Sequence, residues 1–177
     1  ALKRSGLSIA VFGAGLSRDH ELIRSHESVA ECGIIDLVNF QNSTYFEPVT
    51  TKRRFDVVVA CEVFEHFIHP RKELRQCLRM LKDNGILLAS TNINAASDIS
   101  GQTYPFLYGH TSYYSSRSLY VLAQNQRAFL RIVRPEISKI SPLKRYLYFT
   151  KTKSVDMLLG SYLDSNPVPP SEPFELS

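Results

Sequence analysis

Glu62, Glu65 and His66 stand at i, i+3 and i+4 in the run Glu62-Val63-Phe64-Glu65-His66, directly behind an apolar stretch from Phe55 to Ala60. On one helical turn the three side chains would share a face. Clustering two carboxylates costs free energy unless something cationic or proton-bearing answers them. A divalent cation would do so, and so would a substrate proton. A strand that ends in a polar cluster is also where open α/β sheets hold their ligands. A second feature lies upstream, where Leu7 to Phe12 runs into Gly13-Ala14-Gly15. Glycines behind a strand let a backbone approach a ligand closely and open onto a helix N-terminus.

These groups need elements to position them. Strands are expected at 7–12, 33–36, 55–60, 86–91, 130–133 and 145–150. A first helix is expected from Asp19 to Val29, with Leu22 and Ile23 inward. Pro70 suits a first helical position, and Leu74, Cys77, Leu78 and Leu81 then recur as an amphipathic stripe that Asp83-Asn84-Gly85 should stop. Ser115 or Ser116 is placed to cap a third helix with Leu119, Leu122 and Ala123 inside. Alternating strands and helices imply a doubly wound α/β fold, a mostly parallel sheet with helices on both faces. Its first three strands should be mutually parallel, which brings the glycine turn and Glu62 to one sheet edge. Residues 37–54 resist assignment. The stretch 92–114 is long for a structureless loop and is expected to be functional or partly helical. We read residues 1–155 as one domain and 156–177 as an extension. Its Pro167, Pro169, Pro170 and Pro173 suggest a tail, or a linker toward a larger polypeptide or partner.

The chain has 177 residues, 44% hydrophobic and 21% charged, which suits one sizeable core. No apolar run reaches membrane-span length, and the first residues lack the apolar region of a signal peptide. Three cysteines at 32, 61 and 77 form no C-x-x-C pair, so reduced thiols and a cytoplasmic location are expected. The net charge of +4 is mild, and its basic clusters read first as solvated faces rather than a nucleic-acid footprint.

The order of features says more than any single one. Val11-Phe12-Gly13-Ala14-Gly15, then Asp36, then Phe55 to Ala60 with Cys61-Glu62-Val63-Phe64-Glu65-His66-Phe67-Ile68-His69-Pro70, then Leu81-Lys82-Asp83-Asn84-Gly85, resembles the class I S-adenosylmethionine-dependent methyltransferases. The likeness runs over roughly residues 7–135. It is nearest to the subgroup of ubiquinone-type O-methyltransferases. The E-x-x-E-H block with a later histidine, His110, also resembles the small-RNA 3′-end 2′-O-methyltransferases. A dinucleotide oxidoreductase fits less well, because Arg18 stands where its third glycine would be.

The resemblance implies a Rossmann-like methyltransferase fold and S-adenosylmethionine as cofactor. Gly13 and Gly15 would lie against its methionine part, Asp36 would accept from the ribose hydroxyls, and Cys61 and Glu62 would flank its methyl group. Glu62, Glu65, His66 and His110 would hold Mg²⁺ or Mn²⁺, with His66 and Glu62 as the catalytic pair; His66 could instead act as a general base without metal. The acceptor would be a hydroxyl of a small molecule or an RNA end. Two positions depart from the family pattern: Val11 replaces an acid two residues before the first glycine, and Ser17 replaces the third glycine. The alternative is a non-catalytic methyltransferase-like module, or a domain of a larger protein.

Overall fold

The structure, a computed structural model, describes residues 5–39, 44–46, 52–94, 100–135 and 143–166. Its elements run β1 (Leu7–Phe12), α1 (Asp19–Arg24), β2 (Val29–Ile35), β3 (Phe55–Cys61), α2 (Pro70–Arg79), β4 (Leu81–Asn92), α3 (Ser116–Asn125), β5 (Phe129–Val133), β6 (Lys144–Thr150) and α4 (Lys153–Ser165). Single 3₁₀ turns lie at Phe64–His66 and Tyr104–Phe106. One six-stranded sheet has the order β2-β1-β3-β4-β6-β5. β1 pairs in parallel with both β2 and β3, and β3 with β4. β6 is antiparallel to β4 and to β5 and lies between them. This is the expected α/β fold, and the glycine turn and Glu62 leave the sheet at the same edge.

The core forms on both faces because neighbouring residues of a strand point to opposite sides. One face carries Val58, Ala60, Leu87, Ala89, Leu147 and Phe149 against Leu74, Cys77 and Leu78 of α2 and Leu119 of α3. The other carries Ile9, Val11, Cys32 and Ile34. The α2 stripe appears for Leu74, Cys77 and Leu78, with Pro70 in the first helical turn, but the helix ends at Arg79 and the expected fourth member, Leu81, opens β4 instead. Ser115 caps α3 by a reciprocal pair: its side chain accepts from the Ser118 amide while Ser118 accepts from the Ser115 amide.

Three local expectations change. The first helix stops at Arg24, since Val29 already pairs with Leu7 of β1, and β2 starts there rather than at Gly33. Within it Leu22 faces solvent and His20 takes the buried position. Residues 82–85 do not simply end α2. They bulge out of β4, where pairing jumps from Leu81 opposite Phe55 to Ile86 opposite Val57. Residues 153–165, read in the sequence only as the end of the domain and the start of the extension, form α4, which buries Val155 and Leu159 and is anchored by the Arg131–Asp156 ion pair at 2.8 Å. The Pro-rich tail lies outside the described residues.

Asp56 ties three strands at the far edge of the sheet. Its Oδ2 accepts from the Ser8 amide and hydroxyl at 2.9 Å each and from Lys82 Nζ at 2.7 Å. Burial pushes this carboxyl up, but the Lys82 ammonium and the Ser8 donors outweigh it and hold it below its ordinary value. A depressed folded value means stability present above the unfolded carboxylate pKa of about 3.9 and lost as pH falls through the folded one. Asp56→Ala should therefore cost about 1.5 kcal/mol at neutral pH, the low end for bonds to a charged group, because Lys82 is half-exposed and screened. Urea melts of parent and variant should converge as the pH is lowered. A gap that persists unchanged at pH 2 would contradict the assignment.

Candidate functional site

The glycine turn and Asp36 form one unit. Gly13 donates to the Ile35 carbonyl at 2.7 Å and Gly15 to Asp36 Oδ2 at 2.7 Å, while the Leu37 amide donates to Asp36 Oδ1 at 2.6 Å. Gly13 and Gly15 have φ of 68° and 53°, left-handed values that a Cβ disfavours. A Cβ on Gly13 would also come within 2.8 Å of Val63 Cγ2. The two ends of the neighbouring strands thus close one side of a cleft of about 370 Å³. Its walls include Phe12, Ile35, Val63 and Phe67, with Asp36, Glu62 and His66 as polar groups and Glu73 and Gln76 reaching in from α2.

The departures from the family pattern have local explanations. Val11 is a core residue of the sheet face. Ser17 Oγ accepts from the Asp19 amide at 3.2 Å, at the start of α1.

The E-x-x-E-H segment does not make one continuous helical turn. Glu62 has φ of 52°, and the 3₁₀ turn starts only at Phe64. The two carboxylates consequently take separate partners. Glu62, facing the cleft, pairs with Lys144 Nζ at 2.7 Å and accepts from Ser90 Oγ at 3.0 Å. Glu65 is buried, at 1% exposure, and accepts from Tyr104 Oη at 2.6 Å and Thr91 Oγ1 at 3.0 Å.

His110 joins Glu65 and His66 through backbone bonds of the following residues. The Thr111 and Ser112 amides donate to the Glu65 carbonyl at 2.8 and 3.0 Å, and both hydroxyls donate to the Phe67 carbonyl. The His66 and His110 rings lie 5.0 Å apart. Glu65, His66 and His110 each offer a ligand atom within 4.8 Å of the others, and Glu62 is not one of that group. His66 Nδ1 lies 2.9 Å from the Gly109 carbonyl and His110 Nδ1 lies 2.7 Å from the Tyr104 carbonyl. A carbonyl only accepts, so both Nδ1 atoms carry the proton. In the neutral rings Nε2 keeps the lone pair for a cation or a proton.

Cys61 ends β3 opposite Ser90, is exposed, and is not among the residues lining the cleft. Sequence reasoning missed Tyr104, Thr91, Ser90 and Lys144 as partners of the two carboxylates. The closeness of Tyr104 to His110 in sequence was the one available signal.

This is a Rossmann-like α/β domain with a cleft at the carboxyl ends of its parallel strands. The methyltransferase domain family matches residues 2–126, and the chain belongs to that family. A 48-residue stretch is 42% identical to the ubiquinone biosynthesis O-methyltransferase of Bradyrhizobium diazoefficiens, spanning 27% of this chain and 19% of that protein. The chain thus covers about a fifth of the length of that curated relative. Among solved structures, the YcgJ protein of Bacillus subtilis matches 74% of this chain and 65% of its own at 16% identity, with a TM-score of 0.59. The O-methyltransferase NcsB1 of neocarzinostatin biosynthesis, solved with S-adenosylmethionine and 2-hydroxy-5-methyl naphthoic acid, matches 81% of this chain and 48% of its own at 15% identity, TM-score 0.63. At such identities the structural likeness carries the fold. Among the described residues no helix is long and apolar enough to cross a membrane.

Proposed function

We propose that this domain transfers a methyl group from S-adenosylmethionine to a hydroxyl oxygen, assisted by a divalent cation held by Glu65, His66 and His110. The observation that carries the reading is the convergence of those three ligand groups beside the cleft, with His66 belonging to both. The family supports the donor, and the O-methyltransferase relatives support an oxygen acceptor. We favour a small-molecule hydroxyl, with an RNA-end hydroxyl as its competitor. A cytoplasmic setting belongs to the same proposal, on the free thiols Cys32, Cys61 and Cys77.

The residues fit the donor. A carboxylate has about four acceptor sites, and Asp36 uses two on Gly15 and Leu37, so two remain for vicinal ribose hydroxyls. Phe12, Ile35, Val63 and Phe67 supply apolar wall for a base. S-adenosylmethionine brings a methyl group already activated on a sulfonium. The chain's own task is to orient the acceptor and remove its proton. Mixed oxygen and nitrogen ligands would admit Mn²⁺, Mg²⁺ or a tighter transition metal, which would supply Lewis acidity to a hydroxyl beside it. Without a cation, His66 Nε2 would instead be the basic atom available to take the proton. Glu62, steadied by Lys144 and Ser90, presents negative charge to the cleft, which favours a cationic donor over a neutral product.

Calorimetric titration with S-adenosylmethionine, run on metal-stripped protein with and without Mn²⁺, tests the reading. We expect heat of binding in both and methyl transfer to a hydroxyl substrate only with the metal. No heat in either would leave a non-catalytic relative.

A further inference from the structure

Tyr104 touches two of the three ligand groups by different atoms. Its phenol donates to Glu65 Oε1 at 2.6 Å, and its backbone carbonyl accepts from His110 Nδ1 at 2.7 Å. Its ring packs edge-on against the His110 imidazole, 4.5 Å between centroids. Thr91 Oγ1 lies 3.4 Å from the phenol oxygen and donates to the other oxygen of Glu65. Every one of these atoms comes from a segment distant in sequence from Glu65.

We propose that Tyr104 is the positioning residue of a cation site, fixing the rotamer of Glu65 through its hydroxyl and the tautomer of His110 through its carbonyl. The inference rests on the cation reading above and adds a residue and a mechanism to it. Without an anchor, a carboxylate on a 3₁₀ turn has several rotamers. Ordering it at the moment of binding would be subtracted from affinity. Here two hydroxyl donors hold both oxygens before any cation arrives. Only some of the lone pairs are consumed, so ligand capacity remains. A carboxylate oxygen only accepts, so the Tyr104 hydroxyl is the donor of this bond. The backbone carbonyl survives any substitution of the side chain. Removing the hydroxyl alone should therefore loosen Glu65 while leaving His110 in place.

A second consequence concerns the loop. Tyr104 and His110 belong to the stretch whose Thr111 and Ser112 amides bond to the Glu65 carbonyl. A cation joining Glu65 to His110 would cross-link that loop to the turn at both ends, slowing amide exchange at Thr111 and Ser112.

The experiment is Tyr104→Phe against the parent in metal-stripped protein. It reads Mn²⁺ affinity, the visible spectrum of the Co²⁺-loaded form, and hydrogen exchange at Thr111 and Ser112. Partners behind a ligand typically contribute about 10–100-fold in metal affinity, and we expect a loss of that size for Tyr104→Phe. A changed Co²⁺ spectrum and smaller metal-induced protection should accompany it. Thermal melting of the metal-free forms reports any fold loss, and Thr91→Val serves as a second variant that releases the other oxygen of Glu65. Parent protein that binds Mn²⁺ while Tyr104→Phe binds equally, with the same Co²⁺ spectrum, would overturn the positioning role alone. Parent protein that binds no Mn²⁺ would overturn the cation reading and this inference with it.

Discussion

Glu65→Gln and His110→Ala are each expected to lower Mn²⁺ affinity by at least about 100-fold, the upper end of what residues behind a ligand contribute. Glu65→Gln keeps volume and one acceptor oxygen but replaces the anionic one with an amide that donates. That amide faces the hydroxyl of Tyr104 or of Thr91, both of which donate to Glu65. An unpaired buried donor adds a stability cost of about 1–3 kcal/mol, so melting must be measured beside metal affinity. His110→Ala removes a ring that Thr111 and Ser112 deliver independently of it, since their bonds run to the Glu65 and Phe67 carbonyls. It should fold and fail to hold the cation. Titrations of metal-stripped protein decide the matter. Both variants matching the parent, with and without Mn²⁺, would make the cluster structural and end the metal proposal.

Asp36→Ala is expected to weaken S-adenosylhomocysteine binding by about 1.5–3 kcal/mol, the scale of hydrogen bonds to a charged group. That is roughly tenfold to 150-fold in dissociation constant. Two losses contribute: the acceptor for the ribose, and the bridge that holds the Gly15 and Leu37 amides. Asp36→Asn separates them, because it retains an acceptor oxygen for one amide and sheds the charge. Calorimetry on the three proteins is the measurement. A parent-like constant for Asp36→Ala would show that the ribose contact lies elsewhere.

The strands, the α2 stripe and the Ser115 cap were readable because each is written in neighbours along the chain. Alternation marks a strand and spacing at three and four marks a helix. The misread places share a different cause. Leu22 was expected inside α1 beside Ile23, yet it is exposed and His20 is buried, since which face of the helix meets the sheet is settled by packing that local spacing does not carry. The bulge at 82–85 depends on which β3 residue Leu81 and Ile86 face. The E-x-x-E-H spacing suggested three side chains on one face, but Glu62 adopts a left-handed backbone and turns to Lys144 of β6.

By itself the sequence determined that this is a doubly wound α/β domain, that a glycine turn and an acid follow its first two strands, and that carboxylates and histidines gather behind the third. Those are local properties: side-chain volume, backbone freedom and period. Only the tertiary structure decided which groups meet. It gave Glu62 to Lys144 and Glu65 to Tyr104 and Thr91, and it brought His110 to His66. The physical reason is that a hydrogen bond between distant segments costs nothing in local conformation and so leaves no trace in local pattern. Its partners are chosen by the sheet order and by the carbonyls of Glu65 and Phe67, which come within reach of Thr111 and Ser112 only once the chain has folded.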